Sequence, residues 1–305
     1  MDVVYEQFRG KNNRVAASDV PSEPIRKATE DDTVYHATDL SEATNIDINN
    51  GYGIDMRPGQ TLKSSFVCHS AFSDGFSCLC VKGGTLYSFL PGEWVFSPLL
   101  VIGDDTRMRY TAAAGRIYFT NGSVIGEYFN GVARLFGRPT DPNKGILPAG
   151  QAICFFRGHL YTFCDNILYE SDTGKIGQYD LESGLKRFPE EGVLLAPCLN
   201  GLYAGTTKGV YFGEGSSFAK MPFVKVSEHR AFDLPVQYED ASQIDGLSME
   251  GRYPVFMNSE GPCLGLPSGQ IRQLPVERYK PAAGTTGASI IRKANGQHHY
   301  IAAYR

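Results

Sequence analysis

The side chains able to do chemistry in this 305-residue chain are scattered rather than grouped. Asp104, Asp105, Asp165 and Glu170 fall near turn signals, and glycoside cleavage needs two carboxyl groups held about 5–10 Å apart on one face. Nothing in their spacing singles out a pair. His36, His69, His159 and His229 stand alone, and His298-His299 on a strand point to opposite faces and cannot ligate one metal together. The seven cysteines, at 68, 78, 80, 154, 164, 198 and 263, are odd in number and form no Cys-x-x-Cys, the spacing of zinc sites and redox pairs. They read as free buried thiols of a reducing compartment, with Cys78 and Cys80 on one face of a strand. No Gly-Lys-Ser/Thr phosphate loop, dinucleotide fingerprint or Gly-x-Ser-x-Gly elbow is present. The expectation is a protein that is not an enzyme and holds neither a cofactor nor a metal.

The elements that would position any site are announced by a recurring phrase, a turn glycine followed by a short strand built around Tyr. It reads Gly84-Thr85-Leu86-Tyr87, Gly115-Arg116-Ile117-Tyr118, Gly158-His159-Leu160-Tyr161 and Gly201-Leu202-Tyr203, with weaker echoes at Gly251-Arg252-Tyr253 and Gly296 to Tyr300. The first four tyrosines are separated by 31, 43 and 42 residues. Repeats of roughly 40–50 residues with several short strands are the signature of a β-propeller. The 34 Gly, 17 Pro, 17 Tyr and 18 Phe supply the turn punctuation and large β-formers such a fold requires. The predicted class is therefore all-β, a β-propeller of five blades with six as the alternative count. Residues 1–40 form an extended N-terminal arm or loop and residues 41–305 the propeller.

Within this frame, a strand over residues 76–81 pairs with one over residues 86–90 in the first blade. The second blade is a three-strand meander broken by Asn121-Gly122 and Asn130-Gly131. Ile46 and Ile48, then Ile54 and Met56, predict a hairpin about an Asn-Gly turn. Residues 214–246 are a connection of unassigned structure. Tyr300–Tyr304 is a strand expected to pair with, or lie beside, the 45–57 hairpin and so close the ring.

The charge is close to balanced, with 29 Lys+Arg against 33 Asp+Glu and a pI near 5.9, so bulk attraction to nucleic-acid phosphate is not indicated. No apolar run approaches the roughly 20 residues of a membrane span, and Met1–Glu6 lacks the pattern of a signal peptide. The expectation is a soluble protein made in a cytoplasm, with no membrane span.

Two motifs carry resemblances. Ser171-Asp172-Thr173-Gly174-Lys175 resembles the start of the Asp-box turn of sialidase propellers, but it occurs once and lacks the trailing residues, so a hairpin-capping turn is the simpler reading. A longer series resembles tailed-bacteriophage structural proteins. Gly10-Lys11-Asn12-Asn13, then Ala43-Thr44-Asn45-Ile46-Asp47, then Arg57-Pro58-Gly59 match the opening phrases of those proteins in order. Downstream, Asn166-Ile167-Leu168-Tyr169-Glu170-Ser171-Asp172 and Gly201-Leu202-Tyr203-Ala204-Gly205-Thr206 are similar to their blade phrases. The fifth blade and the C-terminus match nothing.

The resemblance implies a virion component of the neck or tail, made in the host cytoplasm. It would assemble as a homo-oligomeric ring on the portal–adaptor axis, with portal, adaptor or tail proteins as partners and packaged DNA as a candidate for transient contact. Its partner-binding residues would be Arg9, Asn12, Asn13, Arg14, Asn45, Asp47 and Arg57. The alternative is a carbohydrate-binding or glycoside-cleaving propeller for host-surface recognition, its tyrosines stacking on sugars. A Kelch or WD propeller of cellular type fits less well, because Trp94 is the only tryptophan and no Trp-Asp rhythm appears. The absence of a paired catalytic constellation predicts no hydrolysis of a panel of glycosides and esters. Turnover abolished by changing one carboxylate would overturn that expectation.

Overall fold

Each turn glycine of the repeated phrase reverses the chain into a short antiparallel meander, and five such meanders follow one another in a computed structural model. It describes residues 7–11, 25–28, 34–40, 46–48, 54–56, 64–90, 92–215, 217–240, 251–274, 286–294 and 297–304, with the backbone alone before residue 64. The N-terminal strands are β1 (Gln7–Lys11), β2 (Ile25–Ala28), β3 (Val34–Leu40), β4 (Ile46–Ile48) and β5 (Ile54–Met56). β1 and β2 flank β3 in one small sheet, with β1 parallel to it, and β4 pairs antiparallel with β5 as the Asn-Gly hairpin signal requires.

The first blade comprises β6 (His69–Ser73), β7 (Cys78–Lys82), β8 (Thr85–Phe89) and β9 (Phe96–Val101). The second comprises β10 (Arg109–Ala113), β11 (Arg116–Thr120), β12 (Ile125–Phe129) and β13 (Val132–Leu135). β14 (Lys144–Ile146) precedes the third blade, which is β15 (Ala152–Phe156), β16 (His159–Cys164), β17 (Ile167–Glu170) and, after β18 (Gln178–Asp180), β19 (Leu185–Arg187). β14 and β18 pair with each other, and Lys144 Nζ secures them at 3.0 Å from Asp172 and 3.2 Å from Asp180. Asp172, the aspartate of the Asp-box-like turn, thus fastens this appendage. The fourth blade is β20 (Gly192–Pro197), β21 (Gly201–Thr206), β22 (Gly209–Glu214) and β23 (Phe223–Ser227). The fifth is β24 (Gln237–Asp240), β25 (Arg252–Asn258), β26 (Gly261–Gly265) and β27 (Ile271–Gln273). The chain ends in the hairpin β28 (Gly287–Ala294) and β29 (Gln297–Tyr304). This is an all-β propeller with five four-stranded blades among the described residues.

The blades pack face to face in sequence order. Leu79, Val81 and Leu86 of the first meet Ile117 and Phe119 of the second. Tyr118 and Ile125 of the second meet Ile153 and Leu160 of the third, whose Tyr161 and Phe163 turn toward Leu202 and Ala204 of the fourth. Tyr203 and Phe212 meet Phe256 and Cys263 of the fifth, and Tyr253 and Leu264 meet Ile291 and Tyr300 of the terminal hairpin. Alternate residues of each second strand therefore serve opposite neighbours, so these strands are buried on both faces and read as nearly unbroken apolar runs. Tyr118, Tyr161, Tyr203 and Tyr253 are each no more than 3% exposed and all face the following blade. In the first blade the phrase falls on the third strand, β8, rather than the second, which accounts for the short 31-residue interval.

The terminal hairpin stands against the fifth blade where a sixth would begin. Its lock is the buried Glu239, whose carboxylate lies 2.8 Å from His298 Nδ1 and 3.6 Å from Lys293 Nζ. Burial raises the pKa of this carboxyl, but the Asp240 backbone N–H and His298 outweigh it and hold the group below the usual carboxylate range. Gln237 Nε2 donates to Ser289 O at 3.1 Å, and Ser289 Oγ donates to Pro235 O at 2.6 Å. The ladder partner of β29 is β28, whereas β4 pairs with β5, so among the described residues the C-terminal strand does not pair with the 45–57 hairpin as one form of the expectation had it.

Tyr203 is the tightest joint between blades. Its ring packs against Phe212 and Phe256, and its hydroxyl lies 2.6 Å from Leu266 O and 2.9 Å from Gln270 O. Tyr203→Phe is expected to cost about 0.5–1.5 kcal/mol for the lost hydroxyl bond, since Leu266 O and Gln270 O keep the Gly269 and Leu266 N–H donors, and Tyr203→Ala about 3–5 kcal/mol for the cavity. Denaturant midpoints of the two variants check both values. Equal midpoints would show that the hydroxyl contributes nothing.

Candidate functional site

A four-stranded meander presents two kinds of end. One propeller face carries the turns joining first to second and third to fourth strands. The other carries the second-to-third turns and the connections from blade to blade, and here the first strands open onto the axis. At that opening Asp233, just before the fifth blade, meets two arginines of the second blade. Arg109 grips it with Nε at 3.2 Å and Nη2 at 2.5 Å, and Arg107 Nη1 lies 3.1 Å from its carboxylate and 2.6 Å from its carbonyl. Forked guanidinium–carboxylate pairs are among the strong charge-assisted contacts. Burial draws the Arg107 guanidinium below its ordinary value, with Asp233 opposing that shift and Arg109 adding to it.

Beside this cluster is a cavity of about 270 Å³, lined among others by Arg109, Gln151, Glu191, Thr207, Arg230 and Asp233. Both signs of charge line it, and the Arg109 fork is already committed to Asp233. Chemically the arrangement ties the second blade to the fifth across the axis. Arg230, exposed at the rim and set over the Phe232 ring, is its outward-facing cation.

The carboxylates singled out in the sequence are engaged by turns and by a neighbouring hydroxyl. Asp105 accepts the Gly84 N–H at 3.0 Å and pairs with His69 Nε2 at 3.0 Å, which holds its carboxyl below the usual range. Asp104 accepts Thr106 N–H and Ser123 Oγ–H, and Asp165 accepts Gln151 Nε2–H. Glu170 accepts the Tyr161 hydroxyl between the third and fourth blades, and burial raises its pKa. His159 is bound by Ser171 O at 2.6 Å and Thr173 Oγ1 at 3.2 Å. Five of the seven thiols are buried, with Cys68 and Cys164 partly so: burial, with help from Cys68, pushes Cys80 up to about 12, and burial alone raises Cys154 and Cys263. No cluster of three metal-ligating side chains occurs among the described residues.

Of the arm and hairpin residues, Arg9 lies on β1 at a register shift and Asp47 lies on β4 opposite Asp55. Asn12, Asn13, Arg14, Asn45 and Arg57 lie outside the described residues.

The opposite face carries a feature that pattern reading missed. Phe76, expected at the start of a strand, sits in the turn between β6 and β7 and is 91% exposed. Asp74 Oδ1 accepts the N–H groups of Phe76 at 2.9 Å and Ser77 at 2.7 Å, and Gly75 takes φ +95°, a conformation open to glycine. Cys78 pairs with Phe89 and Phe89 with Phe96, which lines the Phe76 turn up beside the exposed Leu90, Trp94 and Val95. Trp94 is held at φ +54°, rare for a bulky residue, by its N–H bond to Leu90 O at 3.1 Å and its stacking on Phe89. The Asp74-Gly75 pair was the available signal, a turn former placed just before an aromatic.

No family model matches the chain, and no curated protein matches it in sequence. Among solved structures it is similar to the extracellular domain of the putative one component system BT4673 from B. thetaiotaomicron, at 16% identity and TM-score 0.46, covering 68% of this chain and 27% of that one. It is also similar to the N-terminal domain of Nup159, at 9% identity and TM-score 0.49, covering 78% and 73%. A third likeness is the computationally designed Ika8 protein, at 11% identity and TM-score 0.49, covering 86% and 82%. The chain thus spans about a quarter of the length of the bacterial domain it resembles.

Asp233→Ala strands two partly buried guanidinium groups at the axis. A loss of about 2–3 kcal/mol is expected, below the full cost of breaking a buried pair because all three side chains keep some solvent contact. Asp233→Asn should lose roughly half as much. Chemical denaturation of both variants measures the difference, and an unchanged midpoint would mean the cluster does not tie the blades.

Proposed function

We propose that this propeller is a structural component of a tailed-bacteriophage virion, a ring-forming building block of the neck or tail on the portal–adaptor axis. The observation that carries the reading is the division of labour among its side chains. Tyr118, Tyr161, Tyr203 and Tyr253 of the repeated phrase are sealed between blades, Asp104, Asp105 and Asp165 are bound at turns, and Glu170 holds the Tyr161 hydroxyl. The most exposed large apolar side chain among the described residues, Phe76, is set on a rigid turn at one face. That is the design of a stiff module whose surface meets other proteins. The ordered series from Gly10-Lys11-Asn12-Asn13 to Arg57-Pro58-Gly59 supports the virion setting. Partners under this reading are neighbouring copies and portal, adaptor or tail proteins.

One observation favours the carbohydrate-binding alternative: Phe76 and Trp94 lie on the same edge as Asp74 and Glu93. Only one oxygen of Asp74 is taken up by its own turn, however, and Tyr118, Tyr161, Tyr203 and Tyr253, which would have to stack on sugars, are inside.

Deleting residues 2–20 is expected to leave a folded, soluble protein that does not enter the particle, because this segment has too few apolar side chains to form a core yet carries Arg9, Asn12, Asn13 and Arg14. Particle composition by mass spectrometry reads the result. Full incorporation of the deleted form would remove the segment from the assembly role.

A further inference from the structure

The tip of the first blade is built to be occupied. Phe76, Leu90, Trp94 and Val95 are all exposed there, on backbone fixed by the Asp74 turn and by the left-handed Trp94. A preorganised aromatic anchor loses little conformational entropy when it is covered, which is what a binding hot spot requires. Four side chains on one blade tip offer far less than the roughly 800 Å² per partner that a stable protein–protein interface buries. The patch therefore suits one extended segment rather than a second propeller laid face to face. Asp74, with one oxygen held by its own turn and the other free of it, and the exposed Glu93 lie at its margin, and no ion pair to either occurs among the described residues, so the fitting segment is apolar and basic.

The chain itself contains such a segment. Val3, Val4 and Tyr5, with a single acidic residue, Glu6, precede a stretch, Phe8 to Val15, that holds Arg9, Lys11 and Arg14 and no acidic residue. β1, in the middle of it, is an edge strand of its sheet. We propose that the blade-one patch receives the N-terminal segment of a second copy of this chain, the apolar residues covering Phe76 and Trp94 and the basic ones facing Asp74 and Glu93. The proposal rests on the ring-forming reading for its biological setting, but it is read on purified protein without particles. Its failure would leave the virion reading standing, and absence of the protein from particles would leave self-association standing.

Trp94 is the only tryptophan, so its emission reports on the patch alone. With the purified full chain, rising concentration is expected to shift Trp94 emission to the blue while the sedimentation coefficient grows. Phe76→Asp, at a site too exposed to disturb folding, and the combined R9E, K11E and R14E variant should each raise the association midpoint about tenfold or more. A free peptide of residues 3–15, added to the associated full chain, should return it to the monomer while keeping the Trp94 emission blue. Emission independent of concentration would overturn the proposal. So would association that Phe76→Asp abolishes but the N-terminal charge reversal and the peptide leave untouched, since the patch would then take another segment.

Discussion

Every blade of this molecule depends on its second strand being covered from both sides. In β11, β16, β21 and β25 consecutive side chains point alternately to the preceding and the following blade, and nearly all are buried. A single four-stranded sheet with two apolar faces cannot persist in water, so each blade is stable only when clasped between neighbours. The tyrosines are the widest of the clasping side chains, and their hydroxyls need partners where they end. Tyr203 finds the carbonyls of Leu266 and Gln270 in the next blade, Tyr161 finds Glu170, and Tyr211 finds Glu190. The same demand explains the close approach at Gly205, where an added Cβ would stand 2.5 Å from the Ala231 Cβ of the neighbouring segment.

Neighbour-to-neighbour packing leaves two problems that the chain handles with charge. Around the axis the blades need a tie beyond adjacent faces, and the Arg107–Asp233–Arg109 cluster joins residues more than 120 positions apart. At the last position only two strands follow the fifth blade, and Glu239 fastens them through His298 and Lys293. Partly buried ionic contacts of this kind contribute modest net stability but penalise any arrangement that leaves one member unpaired. They therefore favour one arrangement of the blades over its competitors.

The two faces differ because different chemistry is needed at their turns. The connection face is rich in aspartates that bind turn N–H groups and in the arginines of the axis. The opposite face holds Phe76, Leu90, Trp94 and Val95 in fixed, exposed positions. Polar side chains spent on internal turns are unavailable to a partner, whereas apolar side chains held rigidly in solvent gain from being covered. That difference between the faces is the observation on which the proposed assembly role rests.

The sequence by itself determined the all-β class, the repeat, the turns at Asn121-Gly122 and Asn130-Gly131, and the strands sealed between blades, because turn conformation and two-sided burial leave local marks. It did not mark β6, β10, β19, β23 or β24. These half-exposed strands lack both the unbroken apolar run and a clean alternation, and they owe their conformation to the ladder beside them. The sequence placed Phe76 inside a strand because an aromatic before an apolar run looks like one, while the Asp74 carboxylate actually closes a turn there. The Asp233 cluster and the Glu239 lock left no sequence signal at all. Their partners are brought together only when the blades close around the axis, and no local pattern encodes a contact between residues 124 positions apart.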